Sequence, residues 1–206
     1  MPVVYIKKEG DNDIGLWEIT ESADELQKDL IIDDEGKEQL LKISHEGRKK
    51  HWLAYRLLLK TMLGFDYTLK YSDTGKPYIV DFSGCISVSH SGKYAAVIIG
   101  EKPVGIDVEK ISPRILKVIE RFMSSDEITS VNEVESPDKY YVYWSGKEAL
   151  HKLYGDQMFE FNKELIIQDF IFADNGFVNV HVENENICEN RIINYKKIED
   201  YILAWL

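Results

Sequence analysis

Apolar positions in this chain follow two periods, alternation and the three-to-four spacing of helices, and the switches between them outline its elements. Residues 3–6 and 16–19 read as short strands separated by the turn cluster Gly10-Asp11-Asn12-Asp13. Thr20 or Ser22 is placed to cap a helix, and over residues 23–41 the apolar Leu26, Leu30, Leu40 and Leu41 are interrupted by Asp33-Asp34-Glu35-Gly36. That pattern predicts two short helices and a turn. Residues 45–63 carry Trp52, Leu53, Tyr55, Leu57, Leu59 and Met62, which predicts one long helix closed by Gly64. Strands are expected at 86–90 and 94–99 about a Ser91-Gly92 turn, and at 104–109 after the Gly100–Pro103 turn region. Residues 112–121 open with Ser112-Pro113 and are expected to form a capped helix. Residues 122–127 end one element and cap another, and after Ser136-Pro137-Asp138 a helix runs to about Tyr154, closed by Gly155. Beyond it strands are expected at Leu165–Ile167, 170–172, 177–182 and Tyr201–Trp205, with Asp174-Asn175-Gly176 as a hairpin turn and 184–190 as a polar loop.

Each half repeats a coarse order of helix then strands, so the chain is expected to be α+β and to consist of two similar halves, residues 1–103 and 104–206. A length of 206 residues suits either one large domain or two small ones. A hydrophobic content of 44%, 12% of the chain being aromatic, excludes a wholly disordered protein. The formal net charge of −11 argues against nucleic acid or an anionic membrane surface as the main partner, while permitting a local basic patch. Cys85 and Cys188 stand far apart with no neighbouring Cys-x-x-Cys or His cluster in the sequence, so both are expected to be free thiols. The first residues reach charge too soon for a signal peptide and nothing later has the apolar length of a membrane span; a cytoplasmic protein is expected.

Candidate chemistry sits at five places. In the strand Val104-Gly105-Ile106-Asp107-Val108-Glu109, alternation puts Asp107 and Glu109 together on one face, where two like charges repel. A cation such as Mg²⁺ would relieve that repulsion; an ordinary solvated acidic face is the plainer alternative. In Tyr71-Ser72-Asp73-Thr74-Gly75-Lys76-Pro77, Gly75 and Pro77 hold Lys76 on a stiff turn. In Ile86-Ser87-Val88-Ser89-His90-Ser91-Gly92, His90 ends a strand beside hydroxyls and a glycine, where it can donate to a phosphate oxygen or serve only structure. The basic residues Arg48, Lys49 and Lys50 near the start of the 45–63 helix oppose its dipole, which invites an anion or marks a solvated basic face. Trp144, Glu148 and Lys152, four apart, line one helix face; Glu148 and Lys152 are either a surface ion pair or a third carboxylate and a phosphate partner.

Taken together, Gly75-Lys76-Pro77, Ser87-Val88-Ser89-His90-Ser91-Gly92, Gly105-Ile106-Asp107-Val108-Glu109 and Trp144-Ser145-Gly146-Lys147-Glu148-Ala149 with Lys152 resemble the motif series of 4'-phosphopantetheinyl transferases of the Sfp type, in the Sfp/holo-acyl-carrier-protein synthase superfamily. The resemblance implies a pseudo-twofold pair of α+β subdomains with the site in the cleft between them, acting as a monomer. It implies Mg²⁺-dependent transfer of the phosphopantetheine arm of coenzyme A to a serine hydroxyl of an acyl or peptidyl carrier protein, with release of 3',5'-ADP. By the same resemblance Asp107, Glu109 and Glu148 are the expected Mg²⁺ ligands, and Glu148, Lys152 and Asp107 the catalytic set. Arg48, Lys76, Ser89, His90 and Lys152 are the expected contacts to coenzyme A, His90 to its 3'-phosphate and Lys152 to the pyrophosphate. Glu148 is the candidate base for the serine proton. Ile86-Ser87 replaces the Phe-Asn usual in the family before its Ile-Ser-His core, and Val88 takes the Ile position.

Carrier proteins of this class are commonly acidic and so is this chain, so docking is expected to use a local patch: Arg114, Lys117 and Arg121, three and four apart after the Asp107 strand. Two other functions fit parts of the pattern. Another Mg²⁺-dependent phosphotransfer enzyme would use the three carboxylates without explaining the Gly-Lys-Pro and Ser-His-Ser-Gly series. A non-catalytic module binding coenzyme A or a carrier would keep the phosphate contacts and tolerate loss of Glu148.

Overall fold

Two helices of 18 residues each are laid on antiparallel sheets, and each pairing closes one hydrophobic core. The structure is a computed structural model describing residues 3–131, 137–155 and 158–206, and it divides into two units, Met1–Val104 and Gly105–Leu206. The α+β class expected from the sequence is what the chain adopts. No helix among the described residues is long and apolar enough to cross a membrane.

In the first unit β1 (Val3–Glu9) and β2 (Asn12–Glu18) form a hairpin about Gly10, whose φ of 60° a side chain would resist. Ser22 then caps α1 (Ala23–Lys28) in a reciprocal capping box with Glu25. Asp33 caps α2 (Asp34–Lys42) by accepting from Gly36 N at 2.8 Å. The acidic run expected as a turn is therefore a helix start, where carboxylates favour the positive end of the dipole. The long helix α3 (Glu46–Leu63) ends at Gly64, which is left-handed at φ 76° and donates to Lys60 O. After β3 (Leu69–Tyr71) and β4 (Pro77–Ile79) come β5 (Cys85–Ser91) and β6 (Tyr94–Gly100), joined by the two-residue turn Gly92-Lys93 rather than Ser91-Gly92. The sheet order is β1-β2-β6-β5, and Trp52, Leu53, Leu58 and Leu59 of α3 pack with Trp17, Ile86, Ala95 and Val97.

The second unit begins with β7 (Ile106–Lys110). The helix expected at 112–121 is instead two 3-10 turns, Pro113–Lys117 and Ile119–Arg121, broken at Val118 with φ −133°. Ile115, Val118 and Ile119 crowd a short segment with β-branched side chains, which disfavours a continued α-helix. Ser124 and Glu127 form a capping box on α4 (Ser125–Ser130). The next helix is α5 (Pro137–Tyr154), terminated by the left-handed Gly155; Ser136, expected ahead of it, lies outside the described residues. Then follow α6 (Phe161–Glu164), β8 (Leu165–Ile167), β9 (Asn175–Glu183), β10 (Cys188–Ile198) and β11 (Tyr201–Trp205), in the sheet order β7-β11-β10-β9-β8.

Two further expectations fail in this unit, and a third holds only in part. Phe170 and Phe172 lie in an irregular segment, held by ring contacts with Tyr143 and Tyr195 rather than by strand pairing. Asn175 and Gly176 open β9 instead of turning a hairpin; a Cβ on Gly176 would stand 3.2 Å from the Tyr195 hydroxyl, so the glycine admits that ring. Of the stretch 184–190 expected as a polar loop, residues 184–187 connect the strands as expected, while 188–190 open β10, the longest strand described. Its early positions in step with the buried Ile193 and Tyr195 are the partly exposed Glu189 and Arg191, which pair with each other at 2.9 Å while Tyr154 Oη donates to Glu189 at 2.5 Å. Charged residues satisfied in this way hide the apolar alternation that resumes at Ile193 and Tyr195.

Candidate functional site

Gly105 decides how closely β7 can approach α5. A Cβ there would stand 1.9 Å from the backbone oxygen of Ala149 and 3.0 Å from Leu153 N, so only glycine lets the strand lie against the helix backbone. The strand is fixed on its other side by reciprocal bonds between Gly105 and Leu206 and by pairing Asp107 with Ala204. Asp107 is thereby buried, 3% exposed, opposite the last turn of α5. Lys152 Nζ donates to Asp107 Oδ1 at 2.8 Å and to Ile106 O at 3.1 Å.

One turn back on α5, Glu148 is held up at about 7 against an ordinary 4.5. Burial contributes most, followed by the negative charge of Asp107; Lys152 opposes these and Glu109 adds to them. Asp107, Glu109 and Glu148 thus form one electrostatic group with the Lys152 ammonium among them. The donor set, oxygen ligands only with mutual repulsion that a hard cation relieves, fits Mg²⁺. Glu148 also lines an open groove of about 550 Å³ with Arg121, Phe122, Trp144, Phe159 and Phe161.

Behind Glu148 is a residue that the sequence pattern did not single out. Lys147 has no exposed surface and donates to Phe122 O at 2.7 Å, Glu127 Oε2 at 2.7 Å and Phe161 O at 3.0 Å. Glu127 in turn accepts from Ser124 N at 2.7 Å and Ile167 N at 2.8 Å. Burial pushes Lys147 down to about 8 while the Glu127 carboxylate resists that fall. Two groove-lining residues, Phe122 and Phe161, are therefore tied by their carbonyls to the residue next to Glu148. Lys147 stands inside the Trp144-to-Ala149 motif, but nothing in that motif points to its partner Glu127, 20 residues away.

In the first unit the expected phosphate contacts are spread over three elements. Arg48 is exposed in the first turns of α3, three residues before His51 and so on a neighbouring face. The His51 ring stacks on His90 with centroids 4.4 Å apart, and its Nε2–H donates to Gly92 O at 2.8 Å. His51 was not singled out in the sequence, although it holds the exposed His90 ring from one side. Ser89 is buried on β5 at 6% exposure. Lys76 sits on a turn closed by Gly75 N to Ser72 O and by Ser72 N to Lys76 O, each 2.9 Å, with Gly75 at φ 84°. Arg56 is buried with its guanidinium 3.3 Å from the Trp52 ring centroid and donates to Tyr71 Oη at 3.2 Å, so it is a core residue rather than a solvent-facing one.

The comparisons with known proteins concern the same motifs. Residues 103–206 match the model of the 4'-phosphopantetheinyl transferase superfamily. The 4'-phosphopantetheinyl transferase Sfp of Bacillus subtilis (strain 168) is 30% identical over 136 residues, 61% of this chain and 61% of that protein. A second 4'-phosphopantetheinyl transferase of Bacillus subtilis is 28% identical over 188 residues, 84% of this chain and 80% of the relative. A holo-[acyl-carrier-protein] synthase of Acholeplasma laidlawii (strain PG-8A) is 34% identical over 89 residues, 35% of this chain and 75% of the relative. The chain thus spans less than two thirds of the first of these relatives. With the family model covering its entire second unit, glycine-gated strand and carboxylate helix included, the chain belongs to the 4'-phosphopantetheinyl transferase superfamily.

Proposed function

We propose that this protein transfers the 4'-phosphopantetheine group of coenzyme A to a serine hydroxyl of an apo acyl or peptidyl carrier protein and releases 3',5'-ADP. Family membership supports the reaction class, and the names of the relatives, transferases and a holo-[acyl-carrier-protein] synthase, support the acceptor. The observation that carries the reading is Glu148 held at about 7 by burial and by Asp107 and Glu109. Asp107, Glu109 and Glu148 would hold Mg²⁺, which when bound neutralises charge on the pyrophosphate.

In the transfer the serine oxygen forms a bond to the β-phosphorus, the bond from that phosphorus to the bridging pyrophosphate oxygen breaks, and 3',5'-ADP leaves with the electron pair. Glu148, which burial and the neighbouring carboxylates make a ready proton acceptor in the metal-free protein, takes the serine proton on a carboxylate oxygen. Lys152 keeps Asp107 in place and sets a positive charge beside the phosphates. The groove beside Glu148, walled by Trp144, Phe122 and Phe161, offers apolar surface next to the reacting oxygen. Arg48, Lys76, Ser89 and His90 bind the nucleotide end, with the exposed, stacked His90 ring facing the 3'-phosphate.

The resemblance of the two units to a pseudo-twofold pair of α+β halves belongs to this reading, supported by the long helix on an antiparallel sheet in each. Action in the cytoplasm as a monomer goes with it. Chromatographic detection of 3',5'-ADP, formed only when coenzyme A, Mg²⁺ and an apo carrier are all present, tests the proposal; coenzyme A left intact across several carriers would refute it.

A further inference from the structure

The outer face of the β9 and β10 hairpin carries a group of side chains that transfer chemistry does not use. His181 and Glu183 are two apart on β9 and project from one face of the sheet. The register places Asn190 opposite His181 and Cys188 opposite Glu183, so all four stand on the same patch. Ligand atoms of His181, Glu183 and Cys188 lie within 4.8 Å of one another, and Cys188 is a free, exposed thiol.

The histidine is oriented from both sides. Its Nδ1 is 3.0 Å from Asn190 Oδ1 and its Nε2 is 3.2 Å from Glu183 Oε2. An amide oxygen only accepts, so Nδ1–H donates to Asn190 and Nε2 is the nitrogen directed at Glu183, to which it donates when protonated and beside which its lone pair is free for a metal when it is not. A histidine ligand steadied through its other ring nitrogen is the usual arrangement around a protein-bound metal. Hydrogen bonds to Asn190 and Glu183 hold the imidazole above its ordinary pKa in the metal-free protein. A metal at Nε2 takes the place of the second proton.

We propose that His181 Nε2, a Glu183 carboxylate oxygen and the Cys188 thiolate bind a Zn²⁺ ion, with Asn190 as positioning residue and water as fourth ligand. The mixed nitrogen, oxygen and sulfur set favours zinc over magnesium, which separates this site from the all-carboxylate group around Glu148. The segment between the ligand-bearing strand ends is already a closed turn. Asn184 N donates to Ile187 O, and Asn184 Oδ1 accepts from Asn186 N and Ile187 N, all at 2.9 Å. The ion clips the hairpin tip without reshaping it, and the proposal stands independently of the transferase reading.

The test is titration of the untagged full chain with Co²⁺, followed by displacement with Zn²⁺. One equivalent is expected to bind with thiolate-to-metal absorption in the near ultraviolet, apart from any held without that band by Asp107, Glu109 and Glu148; Cys188→Ser abolishes the band and Cys85→Ser leaves it intact. His181→Ala, Glu183→Gln and Asn190→Ala should each weaken Zn²⁺ binding by about tenfold or more. Because Cys188 is exposed, Zn²⁺ should also slow its alkylation in the unmutated protein while leaving Cys85 unaffected. Cobalt binding without a thiolate band, Zn²⁺ affinity unchanged in Cys188→Ser, or alkylation of Cys188 at the same rate with and without Zn²⁺ would each overturn the site.

Discussion

Lys152 Nζ lies 2.8 Å from Asp107 Oδ1, a side-chain contact that joins α5 to β7 across 45 residues of sequence. The same ammonium reaches Ile106 O at 3.1 Å, so one lysine fixes both the side chain and the backbone of the acidic strand. It can do so because Gly105, two residues before Asp107, lets the strand lie against Ala149 and Leu153 of the helix.

Gly105→Ala should therefore damage both stability and site. The added methyl meets helix backbone rather than a movable side chain. A loss of about 1–3 kcal/mol is expected, as for overpacking of a filled core. Urea unfolding reads the loss, and an unchanged midpoint would show that the close approach is not required.

Glu148 makes stability depend on pH in a defined direction. Its folded value of about 7 exceeds the ordinary 4.5, so the folded state binds more protons between those values. The associated stability is fully present below pH 4.5 and is lost as pH rises through 7, on the order of 3 kcal/mol in all. Glu148→Gln should flatten that slope and be the more stable protein at pH 8. Carboxyl-resolved NMR should place the Glu148 midpoint near 7 in the metal-free protein and move it downward when Mg²⁺ is added. A midpoint near 4.5, or one that Mg²⁺ leaves in place, would contradict the carboxylate group.

Lys147→Met should destabilise by about 3–5 kcal/mol, because Glu127 then remains buried with its positive partner gone. Adding Glu127→Gln to Lys147→Met should recover part of that loss. Chemical denaturation of the two variants decides it: equal midpoints would mean that the charge on Glu127 is not what Lys147 neutralises.

The exposed basic residues after β7 should matter for the carrier and not for coenzyme A. Arg114 and Lys117 are three apart in one 3-10 turn and so project from the same side. Reversing both to Glu should raise the carrier KM about tenfold or more, the size expected when like charges replace attraction at a docking rim, while the coenzyme A KM stays within twofold. An unchanged carrier KM would remove this patch from the docking surface.

Where local chemistry decides structure, the sequence was a good guide. Ser22 with Glu25 and Ser124 with Glu127 cap their helices, and Gly64 and Gly155 end α3 and α5 where expected. The start of β10 was not legible, because its charged Glu189 and Arg191 look like loop residues until Tyr154 is known to meet Glu189. The 112–121 segment had a helix start in Ser112-Pro113 but crowds β-branched residues that favour tighter turns. At the site, Asp107, Glu109, Glu148 and Lys152 could be selected from motif order. Lys147 and His51 could not, since each acts through a partner distant in sequence: Glu127 and the carbonyls of Phe122 and Phe161 for the one, His90 and Gly92 for the other.

The most direct test of the transferase reading is the intact mass of an apo carrier protein after incubation with this enzyme, coenzyme A and Mg²⁺. A gain of one phosphopantetheine is expected, located on a serine, and strongly diminished with Glu148→Gln at saturating coenzyme A and Mg²⁺. A carrier mass that stays unchanged across several acyl and peptidyl carriers, or full turnover by Glu148→Gln, would contradict the account.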